Sequence, residues 1–268
     1  MAMKIISLPN LSRVAPGNKA TLEMPVGPTY HRIVFQATGT ALAVGHIKQI
    51  NVKINGKTVQ TFTDLQRLID LNKFHGNSAD TAGEFVLHFF SGDTAEAWRR
   101  LPGIGTADVS TFHLEINLDG AFPADGAITA YAQIDPSQQP LGAFIQVREF
   151  PTSTAASGWL ELDKLPRAAF YRAIHFFKAD ANQIQIKTNL TEVIDAPKAV
   201  LHRFAKEGRP VARVPVDARA THVDFTVLNG EMNYDVLNLQ GVTDFRVRAN
   251  LASSGSIDIV TETLDVLG

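Results

Sequence analysis

Apolar and polar residues alternate along most of this chain, the period of a strand with one buried face. Ile50, Val52 and Ile54 alternate with Asn51, Lys53 and Asn55, and Asn55-Gly56 follows as a hairpin signal, because both positions tolerate positive φ. The same pattern predicts strands at Lys19–Met24, Tyr30–Gln36, Ile47–Asn55, Thr58–Phe62, Glu84–Phe90, Val109–Leu118 and Ala127–Ile134. It continues at Ala143–Phe150, Trp159–Leu162, Tyr171–Lys178, Gln183–Thr188, Val211–Val214, His222–Leu228, Val242–Asn250 and Ser256–Leu264. Pro25 closes Lys19–Met24 as an edge strand.

Helical spacing replaces alternation in three places. Thr63-Asp-Leu-Gln66 reads as a capping-box start, with Leu65, Leu68, Ile69 and Asn72 on one face and Gly76 as the stop. Thr94–Leu101 is a short helix carrying Trp98, and a third starts near Asp195, has Pro197 in its first turn, and buries Val200, Leu201 and Phe204 before Gly208. Residues 1–18 read as an arm broken by Pro9, Pro16 and Gly17, and Pro151–Gly158 as a small, polar, flexible connection.

These elements fall into two series in the same order. Val109, Phe112, Asn117 and Leu118 return as Val242, Phe245, Asn250 and Leu251, with Ser110 answered by Thr243. Pro25 and Tyr30 return as Pro166 and Tyr171 at the same separation, and Leu68, Ile69 and Gly76 return as Val200, Leu201 and Gly208. Gly126-Ala-Ile128 answers Gly255-Ser-Ile257. The spacing between copies changes only where turn-rich segments differ, as loops lengthen at little free-energy cost. The expected fold is therefore all-β with a few short helices: two tandem eight-stranded jelly-roll sandwiches, residues 1–142 and 143–268. Each half, of about 130 residues, is long enough for its own core.

Composition narrows the function. Formal net charge is −2 and cysteine is absent, so disulfides and thiolate metal sites are excluded. No basic face is evident, which argues against direct nucleic-acid binding. No apolar run reaches the length of a membrane helix, and the apolar run in Met1–Asn10 is too short for a secretory signal.

Asn10-Leu11, Val14, Gly17-Asn18, Pro25, Gly27 and Thr29-Tyr30 resemble the amino-terminal pattern of the major capsid proteins of corticoviruses, tailless bacteriophages with a membrane inside the shell. The start of the second copy is similar too, in Leu165-Pro166-Arg167, Tyr171-Arg172, Ile174 and Lys178-Ala179. The resemblance implies a double jelly-roll subunit, three of which form a pseudo-hexagonal homotrimer. Such trimers tile an icosahedral shell over an internal membrane, beside neighbouring capsid trimers, small viral membrane proteins and penton or spike proteins. It places the protein in the virion after synthesis in the host cytoplasm, as a structural protein without enzymatic activity. Calcium accompanies particles of that family, and no ligand positions carry over to this chain.

The candidate chemistry is sparse. The histidines, His31, His46, His75, His88, His113, His175, His202 and His222, contain no His-x-His or helical His-x-x-x-His pair. No catalytic or cofactor-binding residues are assigned, and a metal site stays undetermined. Gly103-Ile-Gly105 lacks the third glycine of a nucleotide loop and reads as a turn. Asp119-Gly120 and Asp125-Gly126 offer oxygens to calcium but read first as turn formers. Trp98, beside Arg99 and Arg100, has the composition of a contact hot spot at a subunit boundary. The rival readings are a carbohydrate- or receptor-binding jelly roll of spike or lectin type, in which Trp98 and Trp159 would be an exposed sugar-binding pair, and a cupin-type jelly-roll enzyme, against which the histidine spacing argues.

Overall fold

The computed structural model describes residues 3–77, 80–89, 103–162, 165–166, 170–207, 212–227 and 236–267. The chain divides into two compact units: Met1–Lys73, Asn77–Val147 and Val266–Gly268 form the first, Phe74–Gly76 and Arg148–Asp265 the second.

In the first unit the strands are β1 (Lys4–Ser7), β2 (Lys19–Glu23), β3 (Thr29–Thr38), β4 (Ile47–Ile54), β5 (Lys57–Phe62), β6 (Glu84–His88), β7 (Phe112–Leu118) and β8 (Ala127–Asp135), with helix α1 (Leu65–Phe74) up to Lys73. They form two antiparallel layers, in the orders β1-β8-β3-β6 and β2-β7-β4-β5. Alternation decides which side chains enter the space between them: Leu114, Ile116, Ile50, Val52, Phe35 and Ile33 are buried. Phe35 and Phe85, paired across β3 and β6, stack with ring centroids 4.9 Å apart.

The second unit repeats this order. Its strands are β9 (Phe144–Thr154, from Arg148 on), β10 (Gly158–Leu162), β11 (Phe170–Phe177), β12 (Ala181–Thr188), β13 (Thr191–Pro197), β14 (Thr221–Asp224), β15 (Leu237–Asn238), β16 (Phe245–Leu251) and β17 (Gly255–Asp265), with helix α2 (Lys198–Glu207). The layers run β9-β17-β11-β14 and β10-β16-β12-β13. Each matches, strand for strand, a layer of the first unit, and β15 is an addition on β11. Each helix follows the second strand of the equivalent hairpin. This is a double jelly roll.

The repeated residues do the same work in each copy. Tyr30 Oη donates to Pro25 O at 2.6 Å, and Tyr171 Oη donates to Pro166 O. The Tyr30 ring packs on Phe112 at 5.2 Å and the Tyr171 ring on Phe245 at 5.4 Å. A bulge follows each tyrosine, at His31 and at Arg172. Asn55 Oδ1 accepts the N–H groups of Ser110 and Thr111, and Asn189 Oδ1 those of Thr243 and Asp244. Burial raises the Tyr30 hydroxyl to about 12 and the Tyr171 hydroxyl further still.

Several expectations need correcting. The predicted arm contains β1, which pairs with β8 at the sheet edge, and Ser12 bridges Thr21. Asp64, at 2.7 Å from Arg67 N, caps α1, one residue after Thr63. Pro151–Thr154, read as flexible, extends β9. Thr191–Pro197 is a strand, so α2 begins at Lys198 and its buried residues are Leu201, His202 and Ala205, while Val200 and Phe204 stay largely exposed. Arg213 and Val214 form no strand; their N–H groups donate singly to Ala205 O and Phe74 O. His222–Leu228 keeps its strand only to Asp224, then turns through a 3-10 helix, Phe225–Val227. Gly103-Ile-Gly105 is not a turn: Ile104 bridges Tyr30, and a Cβ on Gly103 would lie 1.9 Å from Tyr30 O. The helix predicted at Thr94–Leu101, Trp98 within it, and the stop at Gly208 lie outside the described residues.

Candidate functional site: a buried histidine and carboxylate network

Strands buried on both faces are unusual in an antiparallel sandwich. In the second unit β14 is buried throughout and β11 throughout its interior. One face, with Tyr171, Ile174, Phe176, Val223, Ile257 and Ile259, belongs to the sandwich core. The alternating residues include polar ones, and they meet in a single network.

His175 and His222 sit directly opposite each other on β11 and β14, with their Nδ1 atoms 2.8 Å apart. His175 Nε2 lies 3.3 Å from Glu262 Oε1, on β17. His75 Nε2 reaches the same oxygen at 2.7 Å. Arg172 approaches Oε2 at 4.0 Å. On the other side the Val216 N–H donates to His222 Nε2 at 3.2 Å, and the His222 N–H donates to His202 Nε2 at 3.0 Å. His202 Nδ1 pairs with Asp217. Phe74 stacks on His222 with centroids 4.3 Å apart.

Backbone donors settle the tautomers, since an amide N–H can only donate. His222 Nε2 accepts from Val216, so its proton is on Nδ1. That proton faces His175 Nδ1, which must accept, so His175 carries its proton on Nε2 and donates to Glu262. His202 Nε2 accepts from His222 N–H, so His202 Nδ1 donates to Asp217. The result is a directed chain of neutral imidazoles ending on carboxylates.

Burial alone would raise the Glu262 carboxyl; His75 and His175 outweigh it and hold the group well below the usual carboxylate range. Burial, with His175 and His202 adding to it, pushes His222 well below the ordinary imidazole range. Burial also lowers His202, against the opposing pull of Asp217. Burial would raise Asp217 in turn, and His202 and Lys206 bring it down. Both directions fit a neutral His202 whose Nδ1–H donates to an ionised Asp217. We assign neutral His202, because its second nitrogen is already occupied by the His222 N–H.

His75, His175 and Glu262 bring three potential metal ligands within 4.8 Å of one another. The tautomers oppose that use. A metal on His175 Nε2 would need the proton on Nδ1, facing a His222 Nδ1 that would have to accept, and would leave His222 Nε2–H against Val216 N–H. The Arg172 guanidinium also stands beside the carboxylate. The donors present suit a hydrogen-bonded network better than a cation.

Four of the eight histidines thus come together, and the other four stand apart. His31 occupies the β3 bulge, where burial lowers it and Asp135 opposes that shift. His46 Nδ1 accepts the Ala43 N–H, His88 ends β6, and His113 lies 4.0 Å from Glu115 on β7. Spacing could not reveal the network, since its members come from five separate segments. The available signal was the unbroken run Ala173-Ile-His-Phe-Phe177, whose histidine had to be satisfied on a second buried face. Asp119 and Asp125 serve their turns: Asp119 Oδ1 accepts the Ala121 N–H, and Asp125 accepts from Thr40 N and Oγ1. Trp159, half-exposed on β10, lies under Arg248 at 5.2 Å.

Comparison with known proteins extends over the whole chain. The model of the viral coat protein P2 N-terminal domain matches residues 5–135, and that of the P2 C-terminal domain matches residues 144–267. The major capsid protein P2 of Pseudoalteromonas phage PM2 is 25% identical over 269 residues, covering 97% of this chain and 96% of that protein. The crystal structure of the major capsid protein P2 from bacteriophage PM2 superposes with a TM-score of 0.86 at 22% identity, covering 100% of this chain and 98% of that one. The major capsid protein of Sulfolobus turreted icosahedral virus gives 0.71 at 13% identity, covering 99% and 97%. The PBCV-1 capsid protein gives 0.63 at 10%, covering 98% and 93%. Matched in both of its halves, in order, by the two domains of one family, the chain belongs to the viral coat protein P2 family.

Proposed function

We propose that the chain is a viral major capsid protein, a non-catalytic subunit of a virion shell. The observation that carries this reading is the full-length match to a coat-protein family, both domains in sequence order. The physical basis is a chain whose two halves are built alike. Each sandwich pairs its inner strands within its own layers, leaving edge strands and lateral surface for neighbouring subunits.

The finer picture follows from the resemblance. Three chains form a homotrimer with a pseudo-hexagonal outline, and trimers tile an icosahedral shell over an internal membrane. Neighbouring trimers, small viral membrane proteins and penton or spike proteins are its partners. Residues 1–142 and 143–268 are the two working halves, the second led in by the strand at Phe144–Thr154. Sedimentation equilibrium of the purified protein tests the trimer: the expected mass is three times the 29.2 kDa chain. A stable monomer at high concentration would contradict it. Stabilisation by a member of a glycan panel, with no self-association, would favour the carbohydrate-binding alternative instead.

A further inference from the structure

We propose that the network of His175, His202, His222 and Glu262 is an acid-sensitive latch of the second unit, closed by the hydrogen bonds that neutral His202 and His222 accept and opened when these two rings take up protons. The inference concerns one chain and is independent of the capsid reading.

The three buried imidazoles have no lone pair to spare. The lone pair of His222 Nε2 is taken by Val216 N–H, that of His175 Nδ1 by His222 Nδ1–H, and that of His202 Nε2 by His222 N–H. A proton arriving on His202 or His222 therefore sets two N–H groups against each other and breaks a bond. On an exposed histidine, water would replace the lost partner. Here His175, His202 and His222 are all almost completely buried, so the broken bond leaves unsatisfied polar groups in a dry interior.

What the bonds hold is specific. The link to Val216 fastens the stretch 213–217 over β14, and the link to His202 fastens α2 to the same strand. Among the described residues, the charged and titratable groups at this site come from every element packed around it. β11 contributes Arg172 and His175, β17 contributes Glu262, and β14 contributes His222 and Asp224. Helix α2 contributes Lys198, His202 and Lys206. The 213–217 stretch adds Arg213, 2.6 Å from Asp224, and Asp217; His75 completes the set. Lys198 and Lys206 oppose a further positive charge on His202, and Lys198 opposes one on His222. Glu262 is the buried anion at the centre, paired with His75, whose side chain is 18% exposed.

Backbone hydrogen exchange of the intact protein, read by mass spectrometry and corrected for intrinsic rates, is the test. Between about pH 8 and about pH 5, protection in the peptide spanning residues 212–227 should fall at least about tenfold, while residues 47–62 of the first unit keep theirs. In His222→Gln the amide can still accept from Val216 and donate to His175 but cannot titrate, so the acid-dependent loss should shrink, the remainder being carried by His202 against the backbone N–H of residue 222. Equal protection at both pH values in the native chain would overturn the proposal on its own, whether or not the variant folds. So would a stoichiometric transition metal whose chelation reproduces the loss, because that requires the opposite tautomer of His175.

Discussion

Replacing Asn55 by alanine tests how the two sandwiches hold their hairpins. Asn55 has φ of 49°, and its Oδ1 accepts from Ser110 N at 2.8 Å and Thr111 N at 3.1 Å. Alanine in this left-handed region costs about 1 kcal/mol more than asparagine, which tolerates it. Losing two solvent-exposed hydrogen bonds costs about 0.5 kcal/mol each. The expected total is about 2 kcal/mol, a fall in Tm of roughly 6–8 °C for a unit of this size. Two controls separate the contributions. Asn55→Gly relaxes the backbone but not the bonds and should cost about 1 kcal/mol, whereas Asn55→Asp keeps the acceptor and should cost about 0.5 kcal/mol or less. The twin position gives the decisive comparison. Asn189, at φ 46°, accepts from Thr243 N, Asp244 N and Thr243 Oγ1, so its series should follow the same order with equal or greater size. Thermal unfolding followed by circular dichroism reads all six variants. If one asparagine responds and the other does not, or if glycine is as damaging as alanine, the equivalence of the two hairpins is wrong.

Leu190 is 86% exposed and holds φ at 70° in the turn position that Gly56 fills in the first unit, so Leu190→Gly should raise stability by about 0.5–1 kcal/mol in the same unfolding assay. Gly103→Ala should cost several kcal/mol, on the order of 3, because the new Cβ meets backbone at Tyr30 that cannot yield; soluble protein with unchanged Tm would refute the bridge between Tyr30 and Ile104. In an alkaline titration followed by phenolate absorbance, Tyr30 should ionise only near pH 12 and Tyr171 later. Their folded values lie above the ordinary 10, so the stability they contribute is complete below pH 10 and drains away as pH rises through the folded values. Ionisation of all four tyrosines near pH 10 would contradict their burial.

The duplication could be read from the chain because its repeated residues do local, geometry-bound work. Pro25 with Tyr30 and Pro166 with Tyr171 are each a closed hydrogen bond, and Phe112 and Phe245 are the surfaces their rings need. What escaped were segments whose partners lie elsewhere. Thr191–Pro197 carries charge and ends in proline, yet forms a strand because β12 supplies its hydrogen bonds. Val211–Val214 alternates like a strand, but Arg213 and Val214 are claimed singly by α2 and Phe74. Val200 and Phe204 carry an apolar helical spacing, but the start at Lys198 turns Leu201 and Ala205 inward instead. The histidine network assembles from residues as distant as His75 and Glu262, and no spacing rule joins them.

Negative-stain electron microscopy of the purified protein tests most directly whether one doubled sandwich is the brick of a viral shell. Three-fold particles are expected, their outline showing six lobes of sandwich size, two from each chain. A uniform population of single two-lobed particles at concentrations well above those of the grid would contradict it.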